Sequence, residues 1–389
     1  RTAQWLRDQQ NKDGFWSPDE QYLHVESWSR IQNNEILPTA YICWALGEIG
    51  DRGNTVQQGL NYLRKNLKAA NDPYMLALVA NAFVAVEPNS PTTVDVLKKL
   101  VGMAKKEKDV AYWQSSMPSI TFSRGQGADV EATGLAVYAL IKSGKYSDIV
   151  TDALTYLIRT KDQSGVWYTT QGTVIALRSL VAALGGISEE VEAQIAVMVN
   201  SEKVAELNID QSNADLMHQF DLSQYIKDQN TIEISVNGEG NFLYEVVSKY
   251  YLPWEVVPRP PKPPFVISVD YDRTQLSVND IVDVDVEIKL LRAGRAEMVM
   301  VDLGIPPGFS VLTPTLDELV GKKIQKYSLT QRQIIIYLDE VSSDKPVRLS
   351  YRIQAKFPIR AKVRASRVYE YYNVDDEALE QPFEMRVTL

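Results

Sequence analysis

The hydrophobic period of this 389-residue chain changes partway along it, and that change restricts its folds more than any other feature. Up to about Gly186, apolar residues return every three or four positions with glycines and prolines between the runs, the spacing of helices that bury one stripe. Helices are expected over 37–49, 56–66, 74–86, 92–105, 130–141, 149–158 and 173–184, and Thr2-Ala3-Gln4-Trp5-Leu6 also reads as helical. From 192 to 254 short alternating runs take over, notably 231–236 and 242–250, which suit half-buried strands. Alternation is clearest at 282–288 and 347–356, 334–338 is a short buried run, and Pro306-Pro307-Gly308 marks a turn. About eight strands in the last part read as a β-sandwich. One helical interruption is expected at 315–322, with Thr315 and Glu318 spaced as a capping box.

The helical part repeats itself. Trp5-Leu6 followed by Asp13-Gly14-Phe15-Trp16 recurs as Tyr156-Leu157 followed by Ser164-Gly165-Val166-Trp167, with the glycine nine residues after the aromatic in both copies. A helix pair cannot bury its apolar face alone, so repeated pairs stack and share a core. The glycine suits a turn that needs positive φ, and the tryptophan is expected to plug the gap between neighbouring pairs. The expected fold class is therefore multidomain, all-α then all-β: a partial α/α toroid followed by β-sandwich segments. Pro258-Arg259-Pro260-Pro261-Lys262-Pro263-Pro264, five prolines in seven residues, separates the last domain. Such a run is a stiff extended linker or, as the second reading, a polyproline ligand for an SH3-type partner.

Composition removes several classes of function. A net charge of -9 argues against nucleic-acid binding, which relies on basic surfaces that displace counterions. One cysteine cannot form an internal disulfide or a Cys-x-x-Cys site, and two histidines, His24 and His218, cannot supply a multi-histidine metal centre. No metal and no cofactor is expected. The longest uncharged apolar stretch, 76–86, is too short to span a bilayer as a helix. Arg1 stands where a whole protein would carry methionine, which reads as a removed leader or a piece of a longer chain.

Several motifs in these segments resemble the C-terminal part of the α2-macroglobulin/complement family of thioester proteins, and the likeness runs nearly end to end. In the last domain they are Met300-Val301-Asp302, Pro307-Gly308-Phe309, Ile336-Tyr337-Leu338-Asp339-Glu340-Val341 and Val368-Tyr369-Glu370-Tyr371-Tyr372-Asn373-Val374-Asp375-Asp376. Gly238-Glu239-Gly240 and Lys249-Tyr250-Tyr251-Leu252-Pro253 resemble the end of the family's CUB domain, and Gln171-Gly172-Thr173-Val174-Ile175-Ala176-Leu177 resembles its thioester domain. The resemblance implies a partial thioester-type toroid over 1–186, the second half of a CUB domain over 187–257, the linker at 258–264 and a receptor-binding-type sandwich over 265–389. It further implies a protease-trapping inhibitor, not an enzyme, whose parent is secreted or held in the cell envelope.

The family's thioester joins a cysteine to a glutamine three residues later, and this chain departs from that pattern. Its cysteine, Cys43, is followed three residues later by Leu46 and lies in the apolar run Ala40-Tyr41-Ile42-Cys43-Trp44-Ala45-Leu46, so it reads as core. The reactive pair, the bait region and the first half of the CUB domain are expected upstream of Arg1. One candidate for chemistry remains: in complement-like members a histidine takes the acyl group from the thioester and passes it to a hydroxyl. His24, eleven residues after Asp13 in Tyr22-Leu23-His24-Val25-Glu26, matches that position, and Glu26 matches the neighbour that orients or tunes the imidazole. A solvent-facing loop histidine is the other reading.

Partners implied for the parent are proteases or cell-surface nucleophiles. Where mammalian members carry two receptor-binding lysines, this chain has Thr313 and Asp317, and the nearby Lys322, Lys323 and Lys326 read as a solvated helix end, so an animal clearance receptor is not expected. The absence of any Asn-x-Ser/Thr sequon leans towards a bacterial source. Three alternatives stand beside the inhibitor: an opsonin that tags surface hydroxyls, a thioester-free interaction module, and an isoprenoid enzyme on an α/α toroid. The last needs an aspartate-rich or zinc site, yet Glu189-Glu190 and Asp375-Asp376 lie outside the helical region.

Overall fold

The computed structural model describes residues 1–18, 34–161, 165–185, 191–214, 216–240, 242, 244–248, 250, 252–256 and 263–389. The helical part comprises α1 (Thr2–Asp8), α2 (Ile36–Glu48), α3 (Asn54–Lys65), α4 (Pro73–Val86), α5 (Pro91–Gly102), a hairpin β1 (Lys105–Glu107) and β2 (Val110–Tyr112), α6 (Gly125–Ser143), α7 (Ser147–Arg159) and α8 (Thr170–Gly185). All the expected helices are present. The hairpin was not expected: strands of three residues are too short to show a period.

The helices form two layers for a reason visible in their side chains. On α3 the buried residues are Val56, Gly59, Leu60 and Leu63; on α5 they are Thr93, Val96, Leu97 and Leu100; on α7 they are Ile149, Ala153 and Leu157. Each set is one stripe at helical spacing, so these helices lie outside with their polar faces in water. By contrast, α4 buries every residue from 73 to 84 and α6 every residue from 127 to 140. Helices buried on every side must be enclosed by others, and α2, α4, α6 and α8 accordingly pack in that order as an inner layer. Starts are marked by side chains: Asp72 accepts from the Tyr74 amide and Ser90 from the Thr93 amide, each followed by a proline in the first turn.

A small antiparallel sheet follows, β3 (Glu192–Val199), β4 (Glu202–Ile209) and β5 (Ile232–Glu239), in the order β4-β3-β5. The strand expected at 242–250 is absent among the described residues there. Among the described residues this run pairs with no strand, and Tyr244, Val247 and Tyr250 are exposed. Residues 258–262 of the expected linker lie outside the described residues, and the Pro264 carbonyl accepts from the Leu291 amide.

The last part holds β6 (Phe265–Tyr271), β7 (Gln275–Ser277), β8 (Ile281–Leu290), β9 (Arg295–Gly304), β10 (Phe309–Val311), α9 (Thr313–Asp317), β11 (Lys326–Leu329), β12 (Gln333–Ser342), β13 (Val347–Ala355), β14 (Ile359–Lys362), β15 (Arg367–Glu370), β16 (Asn373–Leu379) and β17 (Glu384–Thr388). That is twelve strands rather than eight; the additional ones are short edge pieces. Two main sheets, β10-β13-β8-β6 and β11-β12-β9-β15-β16, enclose a core that includes Phe265, Val284, Val301, Ile336 and Tyr351. Outward residues of β8 meet those of β13 as charged pairs, Arg348–Glu287 and Arg352–Asp283, which keep that face in water. The turn at Pro306-Pro307-Gly308 forms, with Gly308 at φ +79° and the Phe309 amide donating to the Pro306 carbonyl. The capping box does not form. Helix α9 starts before Thr315, whose hydroxyl donates back to the Leu312 carbonyl at 2.7 Å and accepts from the Arg352 amide at 3.1 Å.

Candidate functional site

Each junction into an inner helix is built by the same short-range chemistry. Trp16 Nε1 donates to the Leu6 carbonyl at 2.7 Å while its amide donates to Thr39 Oγ1 at 3.0 Å. Trp167 does the same with Leu157 and Thr173, and Trp113 with Leu100 and Thr133. A buried indole that ties the end of an outer helix to the start of the next inner one fixes the stacking of neighbouring pairs. Gly14 and Gly165 supply the left-handed turns before Trp16 and Trp167, at φ +89° and +77°. The third copy is not legible in the sequence because the hairpin widens its Leu-to-Trp spacing to 13, against 10 in the others.

This stacking leaves a cavity of about 880 Å³ at one end of the inner helices. Trp5, Trp16, Tyr41, Trp44 and Ile175 form apolar walls, and Ser17 and Pro18 lie on its lining. Those two residues directly precede the segment 19–33. His24 and Glu26, the residues expected to act in acyl transfer, lie in that segment and outside the described residues.

Two charged groups in the cavity were not expected. Glu131 sits on α6 and is buried, with Ser123, Thr121 and Thr169 hydroxyls donating to it, the latter two at 3.2 Å. Burial raises its pKa against the lowering effect of those hydroxyls. Arg178 on α8 donates to Glu48 of α2 at 2.7 Å, and its guanidinium lies 4.8 Å from the Trp44 ring centre and 4.5 Å from that of Tyr138. It therefore ties the fourth inner helix back to the first. The sequence signal for Glu131 is a carboxylate in Val130-Glu131-Ala132-Thr133, a segment whose apolar period reads as a helix.

Cys43 is fully buried, and burial pushes its thiol up to about 12. A thiol of that kind is not a nucleophile at neutral pH. Its Sγ lies where a side chain on Gly59 would fall, so it is a packing group between α2 and α3. Among the described residues no cluster of histidine, cysteine, aspartate or glutamate has the makings of a metal site. No described helix is long and apolar enough to cross a membrane. Thr313 and Asp317 are the first and last residues of α9; Asp317 accepts from the Tyr327 hydroxyl at 2.6 Å. Lys323 donates to the Arg348 carbonyl, and Lys326 lies over Tyr337, so neither is a free cation on that surface.

A layered helical array with an aromatic mouth, followed by two β units, defines the class: a toroid-and-sandwich protein. Comparison with known proteins narrows it. The A-macroglobulin TED domain model matches residues 1–182 and the A-macroglobulin receptor binding domain model matches residues 294–382. The chain is 23% identical to ovostatin of Gallus gallus over 97% of its own length and 26% of that protein. It is also 23% identical to complement C3 of Eptatretus burgeri, over 96% of its length and 24% of that protein. Native α2-macroglobulin of Escherichia coli, in the portion from domain MG7 to the C-terminus, superposes with a TM-score of 0.55 at 11% identity, covering 91% of this chain and 55% of that one. The chain belongs to the α2-macroglobulin/complement family. It spans about a quarter of the length of the curated relatives it matches.

Proposed function

We propose that this chain is the C-terminal part of an α2-macroglobulin-like protease-trapping inhibitor whose parent tags its target through a thioester carried upstream. The observation that carries the reading is the order of two family domains, TED and then receptor-binding, in a chain whose one cysteine is buried and inert. In the parent, cleavage of a bait segment changes the molecule's shape and exposes the thioester. His24 then attacks the thioester carbonyl, breaking the C–S bond and releasing the thiolate, and a hydroxyl whose proton the thiolate takes displaces the imidazole from the acyl group, with Glu26 orienting the ring. The apolar stripe of Val174, Leu177 and Val181 on α8 is the edge against which the rest of the toroid packs. Residues 1–186 are the thioester-domain part, 187–257 the second half of a CUB domain, 258–264 the linker and 265–389 the receptor-binding-type sandwich.

The protein is not an enzyme: each molecule reacts once and is not regenerated. It works outside the cytoplasm, secreted or at the cell envelope. Its partners are proteases or surface nucleophiles, and α9, with Thr313 and Asp317, offers no lysine pair to an animal clearance receptor. Tagging of surface hydroxyls in the manner of an opsonin is the second reading, supported by the His24-Val25-Glu26 segment.

The test is to activate the full-length parent with a protease and measure incorporation of labelled glycerol and labelled methylamine. Wild type should favour glycerol, and His24→Ala should lose that preference while keeping amine incorporation. An unchanged hydroxyl preference removes His24 from the mechanism, and no incorporation of either label leaves a thioester-free binding protein.

A further inference from the structure

The smallest of the sandwich's sheets, β14-β17-β7, buries one face and exposes the other. Leu276, Met385 and Val387 belong to the core, and the residues that alternate with Met385 and Val387 along β17 are exposed. Register sets what the outer face carries. Arg360 of β14 stands directly opposite Arg386 of β17, and Lys362 stands opposite Glu384. Opposite residues of an antiparallel pair project on the same side with about 5 Å between their Cβ atoms, and like charges so placed cost stability. Glu384, the carboxylate among these four, accepts from Arg360 Nε at 2.9 Å. Arg360, Lys362 and Arg386 against Glu384 leave two positive charges in excess. Exposed Arg364, which also acts on Asp302 of β9, continues the alternation past the end of β14.

The outer face of the β10-β13-β8-β6 sheet is built differently. There Arg348 and Arg352 of β13 each pair with a carboxylate of β8, so cations and anions balance. Exposed cations ordinarily serve to blunt an edge strand, and β14 is an edge. That service accounts for Arg360 and Lys362. It accounts neither for Arg386, which sits on the central strand β17, nor for Phe357. Phe357 stands between Lys356 and Pro358 at the tip of the connection from β13 to β14, and 65% of it is exposed. An aromatic ring held in water costs free energy that a purely ionic partner does not recover. A surface that is anionic at its skin and apolar beneath recovers it.

We propose that the outer face of β14-β17-β7 and the Phe357 tip form a docking surface for an anionic lipid membrane. Lys362 and Arg386 meet headgroup phosphates, Arg360 is shared between Glu384 and the headgroups, and the Phe357 ring enters the acyl boundary. The attraction is local. It acts within a Debye length, about 8–10 Å, so the net charge of -9 spread over the chain does not cancel it. The contact is reversible, since a few cations and one ring fall far short of a membrane-spanning helix. It involves neither α9 nor the toroid and makes no covalent bond, so it holds whether or not the parent carries a thioester.

Sedimentation of the full chain with unilamellar vesicles tests the surface. Wild type should partition onto vesicles of about 30% phosphatidylglycerol in phosphatidylcholine, leave pure phosphatidylcholine vesicles unbound, and come off as salt rises from about 0.05 to 0.5 M. Lys362→Gln combined with Arg386→Gln should weaken partitioning roughly 25-fold, about fivefold per cation, and Phe357→Ala should weaken it roughly tenfold. Arg352→Gln removes one charge from the balanced face and should bind as wild type does. Circular dichroism establishes that each variant remains folded, and dextran sulfate, a soluble polyanion, serves as competitor. Unchanged partitioning in the Lys362→Gln, Arg386→Gln double variant, or an equal loss in Arg352→Gln, overturns the surface. Binding that dextran sulfate abolishes and Phe357→Ala leaves intact assigns the cations to a soluble polyanion and overturns the membrane. No partitioning of wild type overturns the proposal outright.

Discussion

Trp113 and Glu131 show how much single side chains decide in the helical layer. The Trp113 indole is fully buried and satisfies the last turn of α5, so its loss leaves both a void and an unpaired carbonyl. Trp113→Ala should destabilise the helical part by roughly 3–5 kcal/mol, and Trp113→Phe, which loses the N–H and part of the ring, by about 1–3 kcal/mol. Chemical denaturation monitored by far-UV circular dichroism checks both. Glu131 works in the opposite sense. Its pKa is raised in the fold, so its contribution is most favourable below the unfolded carboxylate pKa and is lost as pH rises towards the folded value. Glu131→Gln, which keeps polar partners for Ser123, Thr121 and Thr169, should flatten the fall in stability above about pH 4.5. Thermal melts at pH 4, 6 and 8 should show the wild-type helical transition falling with pH more steeply than the variant's.

At the scale of elements, the contact between α2 and α3 rests on a close approach. A Cβ on Gly59 would lie 2.4 Å from Cys43 Sγ and 3.0 Å from the Trp16 ring, so this glycine is needed for space rather than for backbone freedom. Gly59→Ala should cost about 1–3 kcal/mol by overpacking. Adding Cys43→Ala should recover part of that loss, and the double-mutant cycle measures the coupling. The same packing predicts that Cys43 in the native chain resists maleimide labelling and reacts only after denaturant is added. Element identity was readable where a stripe or an alternation ran for several turns, as in α5 or β8. It failed where packing overrides local pattern: 242–250 alternates but pairs with no strand among its described residues, and Thr315 and Glu318 have capping-box spacing but lie within α9 and its C-terminal end.

At the scale of the whole molecule, the toroid and the sandwich each have their own core, and they meet where Asp375 accepts from the Gln126 amide and Phe122 lies against Tyr372. Separate cores of this kind unfold separately, so calorimetry of the full chain should give at least two transitions. Gly125→Ala adds a methyl group where Asp375 stands, and it should open the interface without lowering the sandwich transition. Scattering and calorimetry on the same variant separate those two effects.

The sequence by itself determined the change from helices to strands, the repeat marked by Trp16 and Trp167, the inert setting of Cys43 and the family. These are local or periodic properties, and burial patterns at a fixed spacing carry them without reference to distant parts of the chain. Only the tertiary structure decided that Trp113 belongs to the same repeat, that Glu131 and Arg178 share one aromatic cavity, and that Asp375 caps a helix 249 residues earlier. Such groupings depend on where chain segments meet, and a hydrogen bond across that separation leaves no period in the sequence.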